Sequence, residues 1–155
     1  MNTTIKAVLC GALVIYSGNA LAESSNSTAA AKIAVVKKVM ANVHNDNLIK
    51  YASRSLRSVM TLNYKLENQL QEAICIDGHI AGTDFSVSHI RKTAKYKALS
   101  NGDIAVSFKG YPSSSTQTVY FTLIQENGRY VIDDYYQAEW DSTFKQELQS
   151  CLAEF

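Results

Sequence analysis

A change in the spacing of apolar residues limits the folds open to this chain. From Ala30 to Ile74 apolar side chains recur at intervals of three and four, the period of a helix with one buried face. In residues 104–109 apolar and polar side chains alternate, and two segments rich in β-branched and aromatic residues follow at 118–125 and 129–136. Helices followed by consecutive strands predict an α+β domain.

The helical half divides into two predicted helices. The first is expected to begin at Ala30 and to end near residues 44–47, where Asn and Asp side chains compete for backbone hydrogen bonds. Its apolar residues are Ile33, Val36, Val39, Met40 and Val43. The second region runs from about Asn47 to Ile74, and its weak segment at residues 53–58 favours a break into a short helix and a long one.

The second half predicts an antiparallel meander that begins with a strand in residues 88–98. The Asn-Gly pair in residues 100–103 is typical of a hairpin turn, and the "ENG" sequence at 126–128 predicts a second tight turn. A C-terminal helix follows, with Thr143 and Gln146 in a capping-box arrangement. Its apolar stripe consists of Phe144, Leu148, Cys151 and Leu152.

The N-terminus resembles a secretory signal peptide. An apolar run at residues 7–16 follows Lys6 and is too short to span a bilayer, and the small residues of "ALA" at 20–22 favour cleavage after Ala22. The alternative, lipid attachment at Cys10, lacks the small preceding residue that this site needs. We therefore expect a cleaved signal peptide at 1–22, a flexible lead at 23–29, one domain at 30–155 and a periplasmic location.

The charge of the mature chain argues against some partners. Removing residues 1–22 takes away Lys6 and no acid, so the 15 Lys and Arg residues become 14 and equal the 14 Asp and Glu residues. A net charge near zero argues against nucleic-acid binding, which depends on counterion release by a basic face. The local basic clusters "VVKK" and "IRKTAKYK" are interpreted as solvated faces of helices or strands.

Two cysteines, Cys75 and Cys151, remain in the mature chain. In an oxidising compartment an even pair favours a disulfide. The stripe of the C-terminal helix points Cys151 inward, from where it could reach Cys75 after the long helix. The alternative, a reactive thiol, lacks a CxxC spacing and a nearby histidine.

The order of these elements resembles the nuclear-transport-factor-2-like superfamily. Within it, the chain is similar to a family of small exported bacterial proteins with an acidic, Gly-containing loop after the helices and a closing strand of the form Gly, any, aromatic, any, Ile, Asp, Asp. The matching positions are Asp77, Gly82 and Asp84 in the loop, and Gly128, Tyr130, Ile132, Asp133 and Asp134 in the strand. That family usually has Trp where this chain has Tyr130. The resemblance implies a cone-shaped curved sheet that surrounds a pocket and is covered by helices.

The adjacent carboxylates Asp133 and Asp134 end the last predicted strand. Strand alternation points them to opposite faces, so they cannot act together on one substrate unless the backbone bends there. By the same alternation Asp134 is expected to share a face with Tyr130 and Ile132. A buried aspartate needs a partner, such as a tyrosine hydroxyl, a helix N-terminus or an arginine. The alternatives are an acid that binds ligand or catalyses, and simple exposure.

No catalytic or metal-binding arrangement stands out. Asp77, His79 and Asp84 could supply metal ligands, but aspartates in a polar loop are more typical of turns. The chain contains neither a nucleophile elbow nor a Gly-rich phosphate loop. We expect no cofactor, no metal and no enzymatic activity.

Aromatic residues are the remaining functional signal. Candidate binding residues at the end of the last strand are Tyr130, Tyr135, Tyr136, Trp140 and Asp134, although sheet cores also use tyrosine. The first hypothesis is a periplasmic protein that binds an envelope protein or an incoming toxin, for instance as an immunity or inhibitor protein. The second is a small-molecule binder or enzyme that uses the pocket, with Asp134 among its polar groups.

Overall fold

The computed structural model describes residues 19–155, apart from 77–79, 81, 83 and 84. Residues 1–18, most of the predicted signal peptide, lie outside the described residues, as do Asp77, His79 and Asp84. The predictions made for them therefore stay predictions. No helix in the described part of the chain is long and apolar enough to cross a membrane.

Three helices form the first half, as the spacing predicts. They are α1 (Asn19–Met40), α2 (Asn45–Tyr51) and α3 (Arg54–Leu70). The first helix begins well before Ala30, so residues 23–29, predicted to form a flexible lead, are helical. The predicted start of the helix was too late, because these residues lack apolar periodicity. The alanines at 29–31 nevertheless favour helix strongly.

The break between α2 and α3 lies at Ala52 and Ser53, at the start of the segment where it was predicted. Ser53 caps α3, since its Oγ accepts a hydrogen bond from the Leu56 backbone N–H at 3.0 Å. Ala52 pairs with Ile132 in a parallel bridge, and the Ser53 N–H donates to the Ile132 carbonyl at 2.7 Å. The junction thereby attaches the helices to the last strand.

The predicted strand at 88–98 is wrong in its first part. A short helix, α4 (Val87–Thr93), precedes strand β1 (Lys95–Ala98). Val87, Ile90 and Ala94 follow helical spacing and all pack in the core, with Ile90 fully buried. Three apolar residues at this spacing favour a helix over the mixed strand that was expected.

The strands form one antiparallel sheet in the order β1-β2-β3-β4, the predicted meander. After β1 come β2 (Ile104–Phe108), β3 (Gln117–Glu126) and β4 (Arg129–Gln137). Asn127 and Gly128 form the β3–β4 turn with positive φ angles of 50° and 74°. This is the conformation that an Asn-Gly hairpin turn requires. The helices and the antiparallel sheet together confirm the coarse α+β class.

The sheet has two faces of different character, which we call the core face and the outer face. The core-face residues, with Tyr96 and Tyr130 partly buried among them, are Ile104, Val106, Phe108, Val119, Phe121, Leu123, Ile132 and Tyr135. They pack with Val36, Val39, Met40 and Val43, the predicted apolar stripe of the first helix. The outer-face residues are Lys95, Lys97, Ala105, Ser107, Thr118, Tyr120, Thr122, Ile124, Val131, Asp134 and Tyr136.

The C-terminal helix α5 (Phe144–Leu152) is held at both ends. Its N-terminus carries the predicted capping box of Thr143 and Gln146. Leu148 is buried, and Cys151 forms a disulfide with Cys75, with the two Cα atoms 5.7 Å apart. The predicted disulfide is therefore confirmed, and it joins α5 to the segment that follows α3.

Candidate functional site

The last strand contains a β-bulge at the Asp133-Asp134 pair. Leu123 pairs with Ile132, but the next residue back along β3, Thr122, pairs with Asp134, so Asp133 is an extra residue in β4. The extra residue reverses the alternation beyond it. The prediction that Asp134 shares a face with Tyr130 and Ile132 is therefore wrong, because that alternation assumed a regular strand.

Asp134 holds the N-terminus of α5. Its Oδ1 accepts hydrogen bonds from the backbone N–H groups of Lys145 and Tyr135, both at 2.9 Å. Its Oδ2 accepts from the Thr143 hydroxyl at 2.5 Å. The residue is only 9% exposed, and a carboxylate at the first turn also interacts favourably with the helix dipole. Asp134 thus has the helix N-terminus as its partner, one of the structural roles predicted for it.

Asp133 has different partners on the other side of the bulge. Ser53 Oγ donates to Oδ1 at 2.7 Å, and Lys145 Nζ donates to Oδ2 at 2.7 Å. Burial by itself raises the pKa of the Asp133 carboxyl, but the hydrogen bonds from Lys145 and Ser53 and the charge of Lys145 outweigh it and hold the pKa below its usual value. Asp133 therefore joins the α2–α3 junction to α5, and the two carboxylates do not converge on one position.

Two of the predicted aromatic residues belong to the core side of the sheet. Tyr135 is 2% exposed and stacks on Phe144 of α5 with the ring centroids 4.5 Å apart. Burial raises the pKa of its hydroxyl above the usual range. Tyr130 is partly buried, and the Lys32 ammonium lies 5.5 Å from the centre of its ring. The Tyr135 ring is therefore buried, whereas the Tyr130 ring is only partly covered and its binding role stays a prediction.

Trp140 lies in the turn before α5 and is 39% exposed. Its ring is 5.8 Å from that of Tyr135, so one side of the indole packs on the protein. Trp140 therefore keeps part of its ring exposed, and its role in binding stays a prediction.

Tyr136 lies on the outer face and stacks on Tyr120 of the neighbouring strand, with the centroids 5.0 Å apart and the planes inclined by 17°. Its hydroxyl donates to Asp103 Oδ2 at 3.2 Å, and Asn101 Nδ2 donates to the same oxygen at 2.9 Å. Burial, followed by the Asp103 carboxylate, raises the pKa of the Tyr136 hydroxyl. The hydroxyl therefore stays protonated at neutral pH, and the ring is held in a fixed orientation.

Sequence reasoning missed the partners of Tyr136. Tyr120 was recognised as aromatic, but its pairing with Tyr136 depends on the register beyond the bulge. Asp103 was interpreted only as part of a turn, although it is 8% exposed and carries the hydrogen bond that fixes Tyr136. The position of this aspartate at the end of an Asn-Gly turn was the one sequence feature that could have indicated its role.

One open groove is lined by polar residues, and two of them, Glu126 and Arg57, are bonded within the protein. This groove, about 470 Å³, lies between the start of α3 and the β3–β4 turn. Both oxygens of Glu126 accept from the Arg54 backbone N–H, at 3.1 and 3.2 Å, and the Arg57 guanidinium donates to carbonyls at the end of α2.

Among the described residues, no three His, Cys, Asp or Glu side chains come together in a way that could hold a metal ion.

Comparisons with known proteins give no relative for this arrangement. No protein-family model, no curated protein and no solved structure matches the chain.

Proposed function

We propose that this protein is a non-enzymatic binding protein of the bacterial periplasm, and that it binds another protein through the outer face of its sheet. Its cellular location is supported by the signal-like residues 1–22 and by the disulfide, which is typical of oxidising compartments. A cone-shaped fold of the nuclear-transport-factor-2-like kind is part of this proposal. The four-stranded meander and its bulge, a feature that bends sheets, support it.

The observation that carries the proposal is the stacked pair of Tyr120 and Tyr136. Among the described residues, the hydrophobic-core cluster includes no outer-face residue, and Ala105 is the one buried apolar residue on that face, so the pair is not needed to fill the core. Tyrosine is enriched at the centres of protein interfaces because a rigid ring supplies contact area and a hydroxyl supplies a hydrogen bond. The ring of Tyr136 is also oriented in advance by Asp103, which lowers the ordering entropy lost on binding.

The surroundings of the pair also suit a protein partner. Side-chain hydroxyls surround the two rings on the same face, and Ser107 and Thr118 already bond to each other at 2.9 Å. Ile124, beyond them on β3, is 38% exposed. Aromatic, aliphatic and hydroxyl groups on one sheet face resemble the mixed composition of non-obligate interfaces. An envelope enzyme or an incoming toxin is the partner that an exported inhibitor of this kind would neutralise.

The alternative of a pocket that binds a small molecule depended on Asp134. Both oxygens of this carboxylate are bonded within the protein, and the core-face residues Phe121 and Ile132 are fully buried among apolar neighbours. No described contact favours that alternative.

The proposal is tested by affinity capture from a periplasmic extract, using the mature chain as bait. We expect a protein to be captured in stoichiometric amount by the wild type and to be lost with the variant Tyr120→Ala/Tyr136→Ala. The matched control is Tyr111→Ala, which removes a 37% exposed tyrosine from the β2–β3 connection. Circular dichroism establishes that both variants fold. Capture that survives in the double variant, or that is lost equally in the control, would contradict the proposal.

A further inference from the structure

A groove of about 370 Å³ with three lysines in its walls lies where α4 and β2 end and where β1 and β3 begin. Its lining includes Lys92, Lys95, Ser107, Phe108, Lys109 and Thr116. The volume falls within the range of ligand sites, about 300 to 1,000 Å³. None of the described residues that line this groove is an Asp or a Glu, which distinguishes it from the arginine-lined groove that contains Glu126.

The fold brings these lysines together from three segments. Lys95 on β1 pairs with Ser107 on β2. Thr93 Oγ1, at the end of α4, accepts a hydrogen bond from the Lys109 backbone N–H at 3.1 Å and donates to the His89 carbonyl at 2.9 Å. These bonds fix the end of α4 against the end of β2. Lys92 and Lys109 are therefore held at the same groove although they are far apart in sequence.

The positive charge of this groove is not neutralised by any carboxylate among the described residues. Within the described part of the chain, the Arg54–Glu126 and Lys145–Asp133 pairs are the salt bridges within 4.0 Å, so none of the groove lysines has a carboxylate partner there. Residues 85–116 contain five Lys and Arg residues and one acid, whereas residues 133–155 contain six acids and one lysine. The neutral net charge thus hides a strongly uneven distribution, and clustered like charges raise the local affinity for anions.

Protection of the sheet edge explains only part of the cluster. Lysines on an edge strand prevent it from pairing with another chain, and this accounts for Lys95 and Lys97. It does not account for Lys92 and Lys109, which lie outside β1. Lys109 is also partly buried, where an unpaired ammonium loses hydration.

We propose that this groove binds a phosphate group, as a phosphate monoester or diphosphate, either free in solution or on a lipid headgroup. Ammonium groups act as point charges for phosphate, and three of them match a group that carries about two negative charges. The Thr116 hydroxyl on the groove wall supplies an additional donor. This inference does not depend on the Tyr120–Tyr136 surface.

Titration calorimetry with inorganic pyrophosphate at low ionic strength tests the proposal. We expect the wild type to bind and the variant Lys92→Gln/Lys95→Gln/Lys109→Gln to bind at least about ten-fold more weakly. The matched control is Lys38→Gln/Lys50→Gln/Lys65→Gln, which removes the same charge from exposed positions elsewhere and is expected to change the Kd less than about two-fold. Equal weakening in both variants would overturn the proposal, because pyrophosphate binding would then depend only on the net charge of the protein and not on this groove.

Cosedimentation with vesicles distinguishes the two sources of phosphate. One set consists of phosphatidylcholine alone and the other contains about 20 mol% phosphatidic acid. Binding to the second set that the groove variant loses assigns the site to a lipid headgroup, whereas groove-dependent binding of pyrophosphate alone assigns it to a free phosphate. Absence of groove-dependent binding to both probes would overturn the proposal.

Discussion

The two faces of the sheet differ in what their side chains contact. On the core face Phe121 is fully buried among apolar neighbours, whereas on the outer face its neighbours in sequence, Tyr120 and Thr122, are partly exposed. Stability therefore depends mainly on the core face and on the polar junction that Asp133 and Asp134 form at β4, and less on the outer-face residues away from that junction. This difference makes it possible to change the proposed binding surface without unfolding the protein.

The largest effect is expected from the core face. Phe121→Ala leaves a cavity between the sheet and the helices, and we expect it to lower the free energy of unfolding by about 3 to 5 kcal/mol. Urea titration followed by circular dichroism measures this loss. The control is Thr122→Ala on the opposite face, expected to change stability by less than about 1 kcal/mol. Similar losses for the two variants would show that the faces are not distinct.

The next effect concerns Asp134 at the end of β4. Asp134→Ala leaves the Thr143 hydroxyl and the Lys145 N–H without their acceptor, so we expect a loss of about 2 to 3 kcal/mol. Asp134→Asn keeps one acceptor oxygen and is expected to lose about half as much. Urea unfolding gives both values, and amide hydrogen exchange is expected to locate the loosening in α5. An unchanged α5 would contradict the assigned role.

A smaller effect, dependent on pH, is expected at Asp133. Its pKa is lower in the folded protein than the ordinary value near 3.8, so its contribution is present above about pH 4 and is lost as the pH falls through the lower, folded-state pKa. Asp133→Asn is expected to lose about 1 kcal/mol at pH 7, because the bond to Lys145 loses its charge. The difference between wild type and variant is expected to vanish at low pH. A difference that is independent of pH between 2 and 7 would refute this account.

The smallest effect is expected on the outer face. Tyr136→Phe removes the hydroxyl that donates to Asp103, but Asn101 still donates to the same carboxylate oxygen. We therefore expect a change of about 0.5 kcal/mol in the free energy of unfolding. A loss above about 1.5 kcal/mol would mean that the Tyr120–Tyr136 part of the outer face also supports the fold.

Local patterns in the sequence predicted much of the fold. The break before α3, the capping box of Thr143 and the hairpin at Asn127 each depend on a few neighbouring residues, and each was found where predicted, to within a few residues. The disulfide was also predicted, since the two cysteines expected in the mature chain leave only one intramolecular pairing.

The candidate site was harder to predict because its geometry depends on pairing between strands. One extra residue at Asp133 reverses the faces of all residues that follow, and alternation within β4 alone cannot reveal it. For the same reason Tyr135, a candidate for binding, lies in the core, while Tyr136 lies on the surface. The contact between Tyr136 and Asp103 joins positions 33 residues apart, beyond the range of any local pattern.

The bond between Cys75 and Cys151 also determines how the protein responds to proteases. It encloses the whole sheet in one covalent loop, with 76 positions separating the two cysteines. A single cut inside that loop, for example in the exposed "PSSS" segment at 112–115, creates two fragments that stay linked. A nicked molecule therefore migrates as one species on a denaturing gel until a reductant separates its pieces, and a protease must cut twice before any part of the sheet is released.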